Sequence, residues 1–243
     1  MRIPRIYLDQ VMAEKKRYLL SIDAVHHVSK VLRMGVGQVL HLFDGRGGYI
    51  DATITRIDKR NVEVVTGDHH SDECESPLAI TLVQGVARGE RMDYTMQKAV
   101  ELGVHHIVPV ICQYTNVKLD EDKKQKRHDH WEKIIIHACE QCRRNRIPAL
   151  TLTQALEEWV EVDTNELKLI LHPEASMRLS QIKRKPDKLT LLSGPEGGFS
   201  DSEVALAEKY GYQAITLGPR ILRTETAALA AITACQVMWG DLR

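Results

Sequence analysis

Arg223 and Glu225 stand two residues apart, shortly after a Gly218-Pro219 step. A guanidinium and a carboxylate so placed can serve one reaction. The cation holds negative charge that develops on a substrate, and the carboxylate takes up a proton. Read alone, the pair is a surface ion pair in which Glu225 answers the dipole of a helix start. Its place beside a Pro-punctuated turn favours a functional role. Arg88-Gly89-Glu90-Arg91 is another charged cluster after an apolar run, and it adds Arg88 to the candidates. Residues 194–198 read Gly-Pro-Glu-Gly-Gly, with Glu196 as a second proton acceptor. That loop lacks the Gly-Lys-Ser/Thr ending of a phosphate-binding P-loop. Gly35-Val36-Gly37 lacks the third glycine of a dinucleotide fingerprint. What remains is a loop against which a flat ligand can lie on backbone. Added bulk at Gly197 is therefore expected to fill the ligand's place.

Metal chemistry finds little support. Cys139-x-x-Cys142 has no second such pair to close a four-ligand zinc set, and His137 follows from helical spacing alone. The doublets His26-His27, His69-His70 and His105-His106 read as solvated, because adjacent residues rarely face one metal on a strand or helix.

Three segments must position the candidates. Leu167–Leu171, residues 189–193 and residues 214–217 are apolar runs that each stop at an X-Pro step: His172-Pro173, Gly194-Pro195 and Gly218-Pro219. As parallel strands their turns would share the sheet edge where open α/β sheets bind ligands. Ser200-Asp201-Ser202-Glu203 is a capping box that opens a helix after the second turn. The last helix is expected from Thr224 to Trp239, stopped by Gly240. Its small residues, Ala227, Ala228 and Ala231 among them, permit close approach of another element, a second copy of the chain included. Upstream, residues 78–86 and 107–111 read as buried strands, and residues 90–102 and 123–143 as helices. Thr153 is expected to cap a short helix through Val160. Alternating strands and helices argue for a parallel sheet covered by helices.

The first 70 residues or so differ. Val39–Phe43, Tyr49–Ile57 and residues 62–65 alternate apolar and polar positions between Gly- and Asp-rich turns, the pattern of a small β-barrel. A short helix is expected over residues 26–34, and residues 67–77, polar and without period, are the linker candidate. The expected domains are 1–72 and 73–243.

Of 243 residues, 33 are basic and 33 acidic, so no global basic field exists and any RNA contact must be local. Arg143, Arg144 and Arg146 offer such a patch, with Arg2 and Arg5. An apolar share of 43% without a membrane-length run is that of a globular protein. Five scattered cysteines fit reduced thiols in the cytoplasm.

Nearly the whole chain resembles the 16S rRNA uridine N3-methyltransferases of the SPOUT superfamily. The resemblance is carried by Met1-Arg2-Ile3-Pro4-Arg5, Val31-Leu32-Arg33-Met34, Leu42-Phe43-Asp44-Gly45, Arg88-Gly89-Glu90-Arg91, Glu101-Leu102-Gly103, Ala138-Cys139-Glu140-Gln141-Cys142 and, most specifically, residues 194–198 and 217–228. It implies an N-terminal PUA-like, RNA-binding barrel and a C-terminal α/β domain with a trefoil knot, a parallel sheet with helices on both faces. It implies a cytoplasmic homodimer that methylates N3 of a specific uridine in 16S rRNA, on the assembled small ribosomal subunit. S-adenosylmethionine would be held by Leu171, His172, Gly194, Glu196, Gly197, Gly198, Leu217, Gly218, Leu222 and Thr226, without a metal. Arg223, Glu225 and Arg88 would be the catalytic set. The rival readings are a knotted methyltransferase acting on another RNA or on a ribose 2′-hydroxyl, and a non-catalytic RNA-binding assembly factor.

Overall fold

The computed structural model describes residues 3–117 and 120–242. Arg2, one of the expected phosphate contacts, lies outside them. Two units are distinguished: residues 1–75 with 139–147, and residues 76–138 with 148–243. Relative to the expected division after residue 72, the short segment Cys139–Ile147 belongs with the first unit. Hydrogen bonds hold it there: Asn145 Nδ2 donates to Asp72 O, and Ile147 N–H to Gly45 O.

The first unit is a five-stranded mixed sheet in the order β1-β3-β4-β5-β2. Its strands are β1 (Arg5–Tyr7), β2 (Arg17–Leu19), β3 (Val39–Phe43), β4 (Tyr49–Ile57) and β5 (Val62–His70). Ile50, Ala52 and Ile54 alternate inward as the sequence predicts. Ile6 of one edge strand and Leu20, just past the other, enter the same core, so the sheet curls around it. β5 runs into the expected linker as far as His70, because residues 69 and 70 still pair with Ile50 and Tyr49. The expected helix over residues 26–34 begins earlier. α1 (Ile22–His26) is capped by Ser21, and residues 27–31 form a wide π-helical turn.

The second unit is an all-parallel sheet in the order β11-β13-β10-β12-β6-β7-β8, with β9 also on β7. Its strands are β6 (Ala79–Gly85), β7 (His106–Ile111), β8 (Ala149–Leu150), β9 (Gln154–Ala155), β10 (Leu167–Leu171), β11 (Met177–Arg178), β12 (Lys188–Ser193) and β13 (Gln213–Thr216). Helices α2 (Glu90–Glu101) and α4 (Leu156–Val162) lie here with α5 (Asp201–Lys209) and α6 (Thr224–Trp239), and α3 (Glu121–Cys142) begins here. The inner strands are buried on both faces, which is why they read as continuous apolar runs. Val83, Ile170 and Leu192 face Leu156, Val160 and Ala207 of α4 and α5. The opposite face takes α6, which lies on β6 and β12 and against α2. Among the described residues no helix is long and apolar enough to cross a membrane.

Several local expectations are corrected. Ala155, not Thr153, precedes α4; the Glu158 carboxylate accepts from Ala155 N–H, and the buried Thr153 hydroxyl has no hydrogen-bond partner among the described residues. The histidine doublets are not all solvated. His70 pairs with Asp51 and stacks on Tyr49, and His106 bonds Thr151 Oγ1 at 2.7 Å. Burial holds the His106 pKa below the usual histidine range against the opposing pull of Asp163. Cys139 is a buried free thiol, pushed far up by burial. The arginine patch is largely consumed internally. Arg144 is buried, with Nε 3.1 Å from both Glu75 carboxylate oxygens. Arg146 pairs with Glu73, and Arg5 donates to Arg143 O and sits over the Tyr49 ring.

Breaking a buried pair strands the other charge. Arg144→Ala is expected to lower stability by roughly 3–5 kcal/mol in urea unfolding, whereas Arg143→Ala, at an exposed position, is expected to change it little.

Candidate active site

The C-terminal ends of β10, β12 and β13 do meet, around a cavity of about 720 Å³ in the second unit. Parallel pairing brings them there: Leu171 is in register with Ile215, and Leu192 with Ile170. The wall comprises the turn after β10, the loop after β12, and the chain from β13 into α6. Of the candidate residues, Leu171, His172, Gly194, Glu196, Gly197, Gly198, Leu217, Leu222, Arg223 and Glu225 line it. Gly218, Thr226 and Arg88 do not. Thr226 is exposed on α6, and Arg88 is exposed and reaches the loop through its backbone alone.

The loop after β12 is held from outside. A Cβ at Gly85, at the end of β6, would stand 2.5 Å from Pro195 Cδ, so the two segments touch backbone to ring. One at Gly197 would stand 2.6 Å from Tyr114 Cβ. Bulk at Gly197 therefore strikes Tyr114 and displaces the loop, a correction to the expectation that it would enter the ligand's place. Gly198 and Gly218 differ: their φ angles are +73° and +132°, and nothing lies within 4 Å of an added Cβ. The loop passes into α5 through the expected capping box, with Ser200 N–H on Glu203 Oε2 and Glu203 N–H on Ser200 Oγ.

Glu196 is engaged rather than poised. One carboxylate oxygen accepts Arg88 N–H at 3.0 Å and Arg91 Nη1 at 2.9 Å. Burial would raise its pKa, but the Arg88 and Glu196 N–H groups and the Arg91 guanidinium together hold it below the usual carboxylate range. This disfavours Glu196 as a proton acceptor and makes it a tie between the loop and the start of α2.

The sequence reading missed the two residues that set the site's geometry. Gln84, buried at the end of β6, donates from Nε2 to Thr224 Oγ1 at 2.9 Å, with the carbonyls of Gly85 and Gly194 at 3.0 and 3.3 Å. Thr224, also buried, donates its hydroxyl to Gly194 O. A lone polar residue closing the buried run Leu82-Val83-Gln84-Gly85 was the available signal. Thr224 opens α6 between Arg223, exposed at the N-cap, and Glu225, half-buried in the first turn. Glu225 Oε2 is shielded from solvent and has no hydrogen-bond partner among the described residues, and no ion pair involves Arg223 there. At the start of α6 the cavity wall thus carries Arg223 and Glu225, with no ion pair to either among the described residues, beside a floor made largely of backbone.

Residues 74–236 match the family described as RNA methyltransferase domain, and residues 20–66 match RNA methyltransferase PUA domain. The ribosomal RNA small subunit methyltransferase E of Buchnera aphidicola subsp. Schizaphis graminum is 38% identical over 242 residues, covering 99% of this chain and 98% of its own. Among solved structures, a Legionella pneumophila chain in complex with the bound cofactor SAM is 43% identical with a TM-score of 0.96, covering 100% of both chains. The ribosomal RNA small subunit methyltransferase E of Neisseria gonorrhoeae, bound to S-adenosyl methionine, is 38% identical with a TM-score of 0.93, again over 100% of both.

Thr224→Val removes the hydroxyl yet keeps the shape. It leaves the Gly194 carbonyl without this donor and is expected to cost about 1–3 kcal/mol in thermal or chemical unfolding, with Thr224→Ser near wild type.

Proposed function

The chain belongs to the ribosomal RNA small subunit methyltransferase E family, and on that premise we propose that it methylates N3 of a uridine in 16S rRNA, with S-adenosylmethionine as methyl donor. The observation that carries the chemical assignment is the shielded Glu225 Oε2, without a hydrogen-bond partner among the described residues, in a cavity wall that Arg223 shares. A ribose 2′-hydroxyl would make less use of a cation placed for a delocalised ring charge. A non-catalytic assembly factor would need neither group.

The residues present suit the cofactor. Backbone of residues 171–173, 194–198 and 216–217 can hold a flat ring, and Gly198 leaves open space that a side chain would occupy. When bound, S-adenosylmethionine supplies an electrophilic methyl group on a sulfonium sulfur. The uridine N3–H proton passes to Glu225. Arg223 holds the negative charge that spreads onto O2 and O4 of the ring. The N3–carbon bond forms as the carbon–sulfur bond breaks and a neutral thioether departs. The loop ties through Glu196, Gln84 and Thr224 keep cofactor and base aligned. In this proposal the last segment threads the fold as the trefoil knot of the resemblance, and the enzyme works on the small subunit in the cytoplasm, where its five free thiols stay reduced.

Calorimetry should show S-adenosylmethionine binding, and nucleoside mapping should show 3-methyluridine in rRNA after incubation. Arg223→Ala is expected to lower the methyl-transfer rate at least about tenfold, roughly 1.4 kcal/mol, with cofactor affinity nearly unchanged. Glu225→Gln is expected to lower it about 100-fold or more. Normal turnover of Arg223→Ala at saturating cofactor would refute its role.

We propose a homodimer as well, with α6 near the contact. Ala228 and Ala231 pack inside their own unit and are 0% exposed, so they cannot form that contact. The outward face of α6, with Thr226, Thr233 and Val237, is the one left for it. Light scattering at micromolar concentration should give twice the chain mass, and Val237→Asp should reduce it. A fully active monomer would end the idea.

A further inference from the structure

The basic candidates read from the sequence are mostly spent on internal partners, so the first unit must meet RNA elsewhere if the methyltransferase reading above, on which this inference rests, is right. A different surface has the right chemistry. Between Lys30 and Val39 only Met34 turns inward; Lys30, Val31, Leu32, Arg33, Val36 and Val39 are exposed. Val31 is 61% and Val36 64% exposed, a large aliphatic surface to leave in water. Residues 24–43 contain no Asp or Glu, and no ion pair engages Lys30 or Arg33 among the described residues.

The backbone of this ridge is special. The π-helical turn His27–Val31 is closed by Leu32 N–H on His27 O, and Met34 N–H then reaches back to Val28 O. Arg33 sits at φ 50°, in the left-handed region that disfavours a side chain. Buried Val28 and Leu40 anchor the ridge at either end. Wide turns and left-handed non-glycine residues cluster where structure is held for a purpose.

We propose that the ridge of residues 30–39 is the RNA-docking surface of the first unit. Lys30 and Arg33 bind phosphates, while Val31 and Val36 pack on ribose or base faces. The charge favours RNA over a second copy of the chain, because a two-fold contact there would set Lys30 and Arg33 against their own copies.

The test uses the full chain and a fluorescently labelled small-subunit rRNA transcript as probe, titrated over a range of salt concentrations. Arg33→Gly removes the guanidinium while glycine adopts the same backbone without strain. Lys30→Ala/Arg33→Gly is expected to lose at least tenfold in RNA affinity. Its log–log salt slope should shrink by about 1.4–1.8, the contribution of two phosphate contacts. Arg33→Lys should keep most of the affinity. Val36→Ser should weaken binding without changing the slope. S-adenosylmethionine affinity should stay at the wild-type value throughout, and the melting temperature should not fall below it. Unchanged affinity and slope in the double variant would overturn the proposal, as would a loss seen with Arg143→Ala instead. A fall in molecular mass of the double variant would assign the ridge to a contact between copies and overturn it too. If the wild type binds no S-adenosylmethionine yet the double variant still loses RNA affinity, the catalytic reading fails and the docking surface stands.

Discussion

One buried amide governs the cavity. Gln84 sits at the end of β6, where its Nε2 faces the Thr224 hydroxyl and the carbonyls of Gly85, Ser193 and Gly194. Only a donor is tolerated there. With the amide reversed, its oxygen would face three carbonyl oxygens, so the surroundings select one orientation. Through this contact the end of one strand, the loop after another and the first residue of α6 become a single piece. Arg223 and Glu225 flank Thr224 in sequence, so the hydrogen bond that fixes Thr224 also fixes where both charged side chains begin.

Charge is apportioned economically around that piece. The floor of the cavity is backbone and apolar side chain, which suits a flat neutral ring. Glu196 spends its charge on Arg91 and the Arg88 N–H, holding the glycine loop against α2. Among the described residues no ion pair engages Arg223 or Glu225 at the helix start, where the dipole favours a carboxylate. In the first unit the same division appears in reverse. Arg144 and Arg146 hold the segment after α3 to Glu75 and Glu73, while Lys30 and Arg33 stay outside any such pair among the described residues. A net charge of zero thus conceals local surplus, and which basic residues are spare is a property of the fold.

The sheet order explains why the three turns converge although their residues lie far apart in the chain. β12 is flanked by β10 and β6, and β13 lies beyond β10. Three parallel strands therefore end side by side, with α6 crossing back over β6 and β12. The helix's small residues serve that crossing: Ala228 and Ala231 pack inside the unit, where a larger side chain would push α6 off the sheet.

Period and punctuation in the sequence determined most of the elements. The buried runs that stop at X-Pro steps became β10, β12 and β13, the Ser200–Glu203 box opened α5, and Gly103 and Gly240 closed their helices. These features are local: a strand buried on both faces must be apolar throughout, and a helix end must satisfy its own N–H groups. What depends on distant partners was decided by tertiary structure. β5 extended through polar residues 66–70 because β4 offered a backbone to pair with. Thr224 rather than Thr226 turned inward because Gln84 waited on β6. Arg144 was withdrawn from the surface because Glu75 lay within reach, and Gly197 proved to abut Tyr114. Residue type and spacing state what a side chain can do; only the fold states what has already claimed it, because hydrogen bonds and ion pairs are filled by whichever group the chain brings close.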